Sequence, residues 1–336
     1  MYNRIEVDKI TIVLSEELAD LTSTDSDNEL LCETVKLRQK LTDKLGYVIP
    51  YVKFELSEEL DENEFEIIIR NSSAFKGKAY AHHRVIEADL LNIKKGEDII
   101  IEDDILNHSQ VAWVDEARAK DFWENGRSAA QFIADALEFV SLKYVDDILD
   151  YQDMNNYLEL VIKDNQFLVD SLIPEVITLG EIRHILAQLI KENISVSDIV
   201  FIFEKISDAQ DGEEDVISLI RFALRRQISA SLANENNEIY AICLSDATQD
   251  KFRALMENND NEELLDDNLA ENLLEELYNV SAKHNNLNEC TPIIVQNDIR
   301  PFISEILSTF YLKCMVVAPE EITPDYTLIM LDEIDV

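Results

Sequence analysis

The residues in this chain whose types might do chemistry are few, and their spacing decides what they can do. His82 and His83 are adjacent. On a strand, neighbouring side chains point to opposite faces, so the pair cannot hold one metal ion together. Glu102, Asp103 and Asp104 form an acidic run, but neither the ligand pattern of a calcium loop nor a converging histidine accompanies it, so it reads as a surface acidic loop. Serine, histidine and aspartate are all present, yet no GxSxG elbow or cysteine-protease signature places a nucleophile beside a base. The chain has six glycines and contains neither GxxxxGK[ST] nor GxGxxG, which removes phosphate-cradling and dinucleotide loops. Its four cysteines, Cys32, Cys243, Cys290 and Cys314, form no CxxC and read as reduced thiols. No catalytic residue, cofactor or metal site is expected.

Recognition chemistry has better candidates. Trp113 and Trp123, with Val111, Val114 and Phe122 nearby, either fill a small core or anchor a partner. A helix that opens with Glu213, Glu214 and Asp215 and closes with Arg221, Arg225 and Arg226 suits the helix dipole. The same arginines are candidates to fork onto carboxylates of a neighbouring subunit.

These groups must be positioned by a sizeable globular body. The chain has 336 residues, 46% of them hydrophobic, enough for two or more packed units. Sixty-nine acidic residues against 29 basic ones give a formal charge of -40, which disfavours nucleic acid and anionic membranes and favours basic or polar partners. No apolar run approaches the ~20 residues of a membrane helix, and MYNRIEVDK lacks a signal-peptide apolar region.

The strongest pattern runs from Leu168 to Asp208. Thr178 and Glu181 form a capping box, and Ile182, Ile185, Leu186, Leu189 and Ile190 lie on one helical face. Asn193 ends that helix, and Ser195 or Ser197 caps the next, whose stripe is Ile199, Ile202, Phe203 and Ile206. The second helix shows Asp198, Glu204, Lys205 and Asp208 to solvent, which argues against DNA.

Along the chain, Ile5 to Leu14 reads as a strand. A helix from about Asn28 to Leu45 follows, with a stripe of Leu31, Val35, Leu41 and Leu45 and Gly46 as its cap. Val48 to Leu56 is a further strand, and Phe65–Arg70 and Lys78–Ile86 pair around Asn71-Ser72-Ser73. Short strands and loops occupy 80–128, and 128–149 is one long helix or a broken pair. After Asn234–Asn237, strands alternate with helices. The expected fold is α+β with several subdomains: a first α/β subdomain, 1–79 with 129–149; a small inserted subdomain, 80–128; a helical subdomain, 150–230; and a C-terminal α/β subdomain, 231–336.

The order LVxxLxPxxxxLxxIxxxLxxLxxExxSxxD, read from Leu168 to Asp198, resembles the large export-gate subunit of type III secretion and flagellar export systems. ILDYQDM (148–154) sits where that family has "LLGRQE", VQNDIRPFISEIL (295–307) is similar to "SPEIRPxLRRLL", and VVAPEEITPD (316–325) to "VLSYNEIxP". The resemblance implies a cytoplasmic docking platform without enzymatic activity. It would bind export chaperones and secreted substrates, contact other export-apparatus proteins, and self-associate into a nine-membered ring through the third subdomain. Family members carry a membrane domain ahead of this part, at the inner face of the bacterial inner membrane. The alternative is a stand-alone soluble relative acting as scaffold or regulator. Anchored on Trp113, the family's partner groove places Asp104 at its Asp, Asn107 where it has Phe, and Asp135 at about its Thr. Arg221, Arg225 and Arg226 become the ring-interface candidates.

Overall fold

The computed structural model describes residues 7–23, 28–87, 99–104, 109–118, 126–209, 215–258, 267–284, 291–308 and 314–336. The chain divides into two compact units, Met1–Asp150 and Tyr151–Val336. Trp123, Phe122, Asn107, Glu213, Glu214 and Cys290 lie outside the described residues.

The first unit opens with a β-α-β element: β1 (Ile10–Leu14), α1 (Glu29–Leu45) and β2 (Val52–Leu56). Strands β3 (Glu64–Ile69) and β4 (Ser72–Lys78) complete a sheet of order β2-β1-β3-β4, in which β2 runs parallel to β1 and the other pairs are antiparallel. Gly46 ends α1 in the left-handed conformation, φ 68°, with its N–H bonded to Thr42 O at 2.9 Å. The β3–β4 turn is made by Arg70 and Asn71, both at positive φ. The partner strand therefore begins at Ser72, earlier than its polar sequence suggests. Within β4, a Cβ at Gly77 would stand 3.0 Å from the rings of Phe65 and Phe75, so only glycine fits there without displacing them.

Helix α1 departs from the expected stripe. Its buried residues are Leu30, Thr34, Leu37, Leu41 and Leu45, while Leu31 and Val35 are exposed. The core residues follow the i, i+4, i+7, i+11 spacing of one face, and the two exposed apolar residues lie on the neighbouring flank.

A second sheet, order β6-β7-β5-β8, is built from β5 (His83–Glu87), β6 (Ile99–Asp104), β7 (Ser109–Asp115) and β8 (Arg127–Ser128). The chain then enters α2 (Ala129–Lys143) and α3 (Val145–Ile148), a pair broken at Tyr144. Ser128 and Gln131 form a capping box at the start of α2.

The second unit begins with α4 (Tyr151–Leu172), which is kinked at Asn165, and continues with α5 (Leu179–Lys191) and α6 (Ile199–Asp208). The capping box of Thr178 and Glu181 is present, and Asn193 takes φ 58° after α5. Asp198 caps α6, accepting from Phe201 N at 3.3 Å, whereas the hydroxyls of Ser195 and Ser197 bond each other. Helices α7 (Val216–Ala223) and α8 (Arg225–Leu232) replace the single helix read from the sequence, with a break at Leu224.

Strand β9 (Glu238–Leu244) starts a parallel sheet of order β11-β10-β9-β12, with β10 (Ile293–Ile294), β11 (Val316–Val317) and β12 (Thr327–Ile334). Helices α9 (Asp246–Asn258), α10 (Asp267–Lys283) and α11 (Arg300–Ser308) alternate with these strands. Helix α9 was not anticipated from its sequence, in which polar and charged residues together outnumber the apolar ones. The fold is mixed α/β with three small sheets.

Arg221 ties the parts of this unit together, and its position corrects the expectation of an interface role. Its side chain is fully buried. Nε and Nη2 donate to the two carboxylate oxygens of Glu321 at 2.6 and 2.7 Å, Nη2 also to Val316 O at 3.0 Å, and Nη1 to Glu192 Oε2 at 2.7 Å. Arg300, also fully buried, donates from Nη1 to the same Glu192 oxygen at 3.0 Å. Burial alone pushes the Arg221 guanidinium down, but Glu321 and then Glu192 outweigh it and hold the group above its ordinary value. Removing one member strands the others' charge in the interior. Arg221→Met should therefore lower the stability of the chain in urea unfolding by about 3–5 kcal/mol. Adding Glu321→Gln to that variant should recover part of the loss, because the unpaired carboxylate is then neutral.

Candidate protein-docking site

In the first unit, α1 and α2 lie side by side over the β2-β1-β3-β4 sheet, and charges from both helices line an open cleft of about 540 Å³. Glu33, Lys36 and Lys40 project from α1, spaced by three and four residues so that they share one face. Gln131, Asp135 and Glu138 project from α2 at the same spacings, and Arg84 of β5 and Arg127 of β8 close one end.

Each cation in the cleft has an acidic partner. Lys36 Nζ meets Glu33 at 2.7 Å, Lys40 Nζ meets Glu138 at 2.9 Å, Arg127 pairs with Asp135, and Arg84 Nε is 3.9 Å from Glu116. Glu33 and the hydrogen bond to it hold the exposed Lys36 ammonium above its ordinary value. Glu138 is almost wholly buried and receives Lys40 on both oxygens, which makes this pair the best-shielded in the cleft. Four cations converge here in a chain whose acids outnumber its bases by 40. The cleft is thus a charge-balanced window in an acidic surface, suited to a polar partner that exchanges one ion pair for another.

The sequence-derived site residues have different fates. Asp135 lies in the cleft, neutralised by Arg127. Asp104 ends β6 in register with Ser109, and Asn107 is outside the described residues. Trp113 is not a surface anchor: it is fully buried on β7. Its ring packs edge-on against Tyr80 at 5.5 Å and Phe132 of α2 at 5.3 Å, and Phe132 in turn meets Phe65 of β3 at 6.4 Å. The indole therefore links the two sheets of the unit through α2. Lys40, Glu138, Arg84 and Arg127 were not found by sequence reading. The available signal was the run of charges at helical spacing on the faces of α1 and α2, which also describes any solvated helix.

Arg225 stacks over the Phe222 ring at 4.2 Å and donates to Phe222 O at 3.0 Å; Phe222 and Arg226 are exposed, and Arg225 is half-buried. Among the described residues, no group of three or more His, Cys, Asp or Glu side chains is gathered as for a metal ion, and no helix is long and apolar enough to cross a membrane.

Tyr80, which packs on Trp113, donates its hydroxyl to Glu102 Oε1 at 2.6 Å. Burial and that carboxylate push the phenol up to about 12. The difference between ultraviolet titrations of the chain and its Tyr80→Phe variant should show a tyrosinate midpoint at about 12, against about 10 for a free tyrosine. Because the folded value is raised, the stabilisation from this neutral phenol is full below the ordinary value and is lost as pH rises through the folded one.

Residues 1–327 match the FHIPEP family. The flagellar biosynthesis protein FlhA of Buchnera aphidicola is 26% identical over 335 residues, covering 96% of this chain and 47% of the relative, so the chain spans about half the length of such curated relatives. CdsV of Chlamydia pneumoniae, solved in complex with CdsO, superposes with a TM-score of 0.76 at 20% identity, covering 98% of each chain. The nonameric EscV cytosolic domain from a type III secretion system gives a TM-score of 0.69 at 17% identity, covering 98% of this chain and 97% of that one. The chain belongs to the FHIPEP family, and the flagellar biosynthesis protein FlhA is among its relatives.

Proposed function

We propose that this chain is the docking platform of a type III export gate, receiving chaperone-substrate complexes at the cleft between α1 and α2 and assembling with its own copies beneath a membrane channel. The observation that carries the reading is the match to one export-gate family over residues 1–327, with a lined cleft on the first unit. The role is one of binding. A partner's charged side chains compete for Lys40, Glu138, Arg127 and Asp135, and affinity depends on replacing each ion pair that is broken. The complex of CdsV with CdsO supports a further class of partner, other proteins of the export apparatus.

Two charge reversals test the cleft. Lys40→Glu places a second carboxylate against Glu138, and Asp135→Lys places a second cation against Arg127. Each should reduce capture of chaperone-substrate complexes in a pull-down by about tenfold while circular dichroism stays unchanged. Unaltered capture by both variants refutes the cleft as the docking site.

Self-association is the second half of the proposal, supported by the nonameric cytosolic domain of EscV. Arg225 and Arg226 remain candidates for it, and Arg221 is withdrawn because its guanidinium is consumed inside its own unit. Leu160 and Phe167 of α4, 59% and 72% exposed, add apolar area to the same unit. With a formal charge of -40 per subunit, copies repel one another at low salt. Sedimentation across a salt series should show association strengthening as ionic strength rises, and Phe167→Asp should weaken it. A monomer at every salt and protein concentration refutes assembly.

A further inference from the structure

The flank of α1 that faces away from the cleft carries a second surface. Within the helix, Glu33, Lys36 and Lys40 turn toward α2, Leu30, Leu37 and Leu41 turn into the core, and Leu31, Val35, Arg38 and Thr42 form the remaining side. Arg38 Nε donates to Ile49 O at 2.9 Å, and Thr42 Oγ1 lies 3.4 Å from Tyr47 O. These bonds fasten the connection into β2 along that side. Tyr47 and Ile49 are buried in the connection, whereas Val48 and Tyr51 are 51% and 75% exposed; on the helix, Leu31 and Val35 are 39% and 51% exposed. Four apolar side chains therefore border one edge of the sheet.

That edge is open. Among the described residues, β2 pairs with β1 on one side and with no strand on the other. The opposite edge of the same sheet, β4, is defended: its pairing with β3 carries a register shift between Ile67 and Ile68, and Lys76 and Lys78 stand on it. Charges and bulges of this kind discourage another strand from adding. On β2 the one cation, Lys53, is neutralised by Asp8 and Glu55, each at 2.9 Å.

The two faces of β2 differ in chemistry. Val52, Phe54 and Leu56 are in register with Ile10, Ile12 and Leu14, and Leu14 is in register with Phe65, whose ring meets Phe132 of α2. This is the face that the helices cover. The alternate residues Lys53 and Glu55 lie on the other face, in register with Thr11 and Val13 and beside Asp8. Exposed Glu58 and Glu59 follow the strand.

We propose that the open edge of β2 accepts an extended segment of a partner protein as a fifth strand, and that this segment alternates apolar residues with lysine or arginine. Main-chain hydrogen bonds to β2 supply the pairing, and side-chain alternation supplies the selection. One set of the segment's side chains falls beside Val35 and Leu31; the other falls beside Tyr51, Glu55 and Asp8, where a cation meets a ring and net acid. The surface lies on the flank of α1 opposite the cleft, and its occupation is independent of the docking reading above.

The test uses a blocked octapeptide of alternating lysine and valine, titrated into the isotopically labelled whole chain and followed by NMR. Two controls are the glutamate-valine octapeptide and the lysine-valine octapeptide N-methylated at alternate residues, which cannot complete a ladder of hydrogen bonds. The expected result is binding of the first peptide alone, with shifts and slowed amide exchange confined to 52–56 and the adjoining flank. Val35→Asp and Tyr51→Ser, each at an exposed position and so compatible with folding, should each weaken binding about tenfold. Equal binding of the N-methylated peptide, or shifts scattered over the acidic surface, would show attraction by charge alone and overturn the proposal. So would the absence of shifts at millimolar peptide.

Discussion

Two arginines and two glutamates in the interior of the second unit set the terms on which that unit exists. A charge taken out of water is costly, and it is offset only when each donor finds an acceptor at good geometry. Arg221 meets most of this demand, with two oxygens of Glu321, one of Glu192 and the Val316 carbonyl. Glu192 follows α5, Arg221 lies in the last turn of α7, Arg300 begins α11 and Glu321 sits in the turn after β11, so the cluster ties helices to the parallel sheet. Ser229 of α8 adds to it, donating to Glu321 O at 3.2 Å and accepting from Thr323 N at 2.9 Å. Residues assigned from sequence to a helical and a C-terminal subdomain are thereby held in one unit.

The first unit solves the same problem with aromatic rings. Tyr80, Trp113, Phe132, Phe65 and Phe75 make successive contacts at 5.3–6.4 Å from one sheet through α2 to the other. Packing of this sort is indifferent to salt and leaves the charged faces of α1 and α2 free to present themselves outward. The cleft exists because the helices are fixed by what lies beneath them. The exposed pair of Lys36 and Glu33 contributes little to stability and can be exchanged for a partner's, whereas Lys40 is held by the nearly buried Glu138.

Much of the architecture could be read from residue order because local signals agreed with the fold. The capping box at Thr178, the stripe of α5, Gly46 as a terminator and the extent of β9 each rest on interactions among close neighbours. The family resemblance carried the rest of the fold class. What stayed hidden depends on contacts distant in sequence. β4 contains one large apolar residue, Phe75, and is held by a turn and by ladder bonds; α1 was rotated to the wrong side because Leu31 and Val35 looked like core. Arg221 looked like an interface residue because its partners lie 29 and 100 positions away. Asp135 was found only through the resemblance, and its partner Arg127 eight residues earlier was missed.

The sharing of one Glu192 oxygen by Arg221 and Arg300 has an evolutionary consequence. A lineage that loses any single member of this quartet leaves like charges facing each other out of water, so intermediate sequences are poorly tolerated. Descent within the family should therefore keep the four positions together or exchange them as a block, even where overall identity has fallen to a fifth.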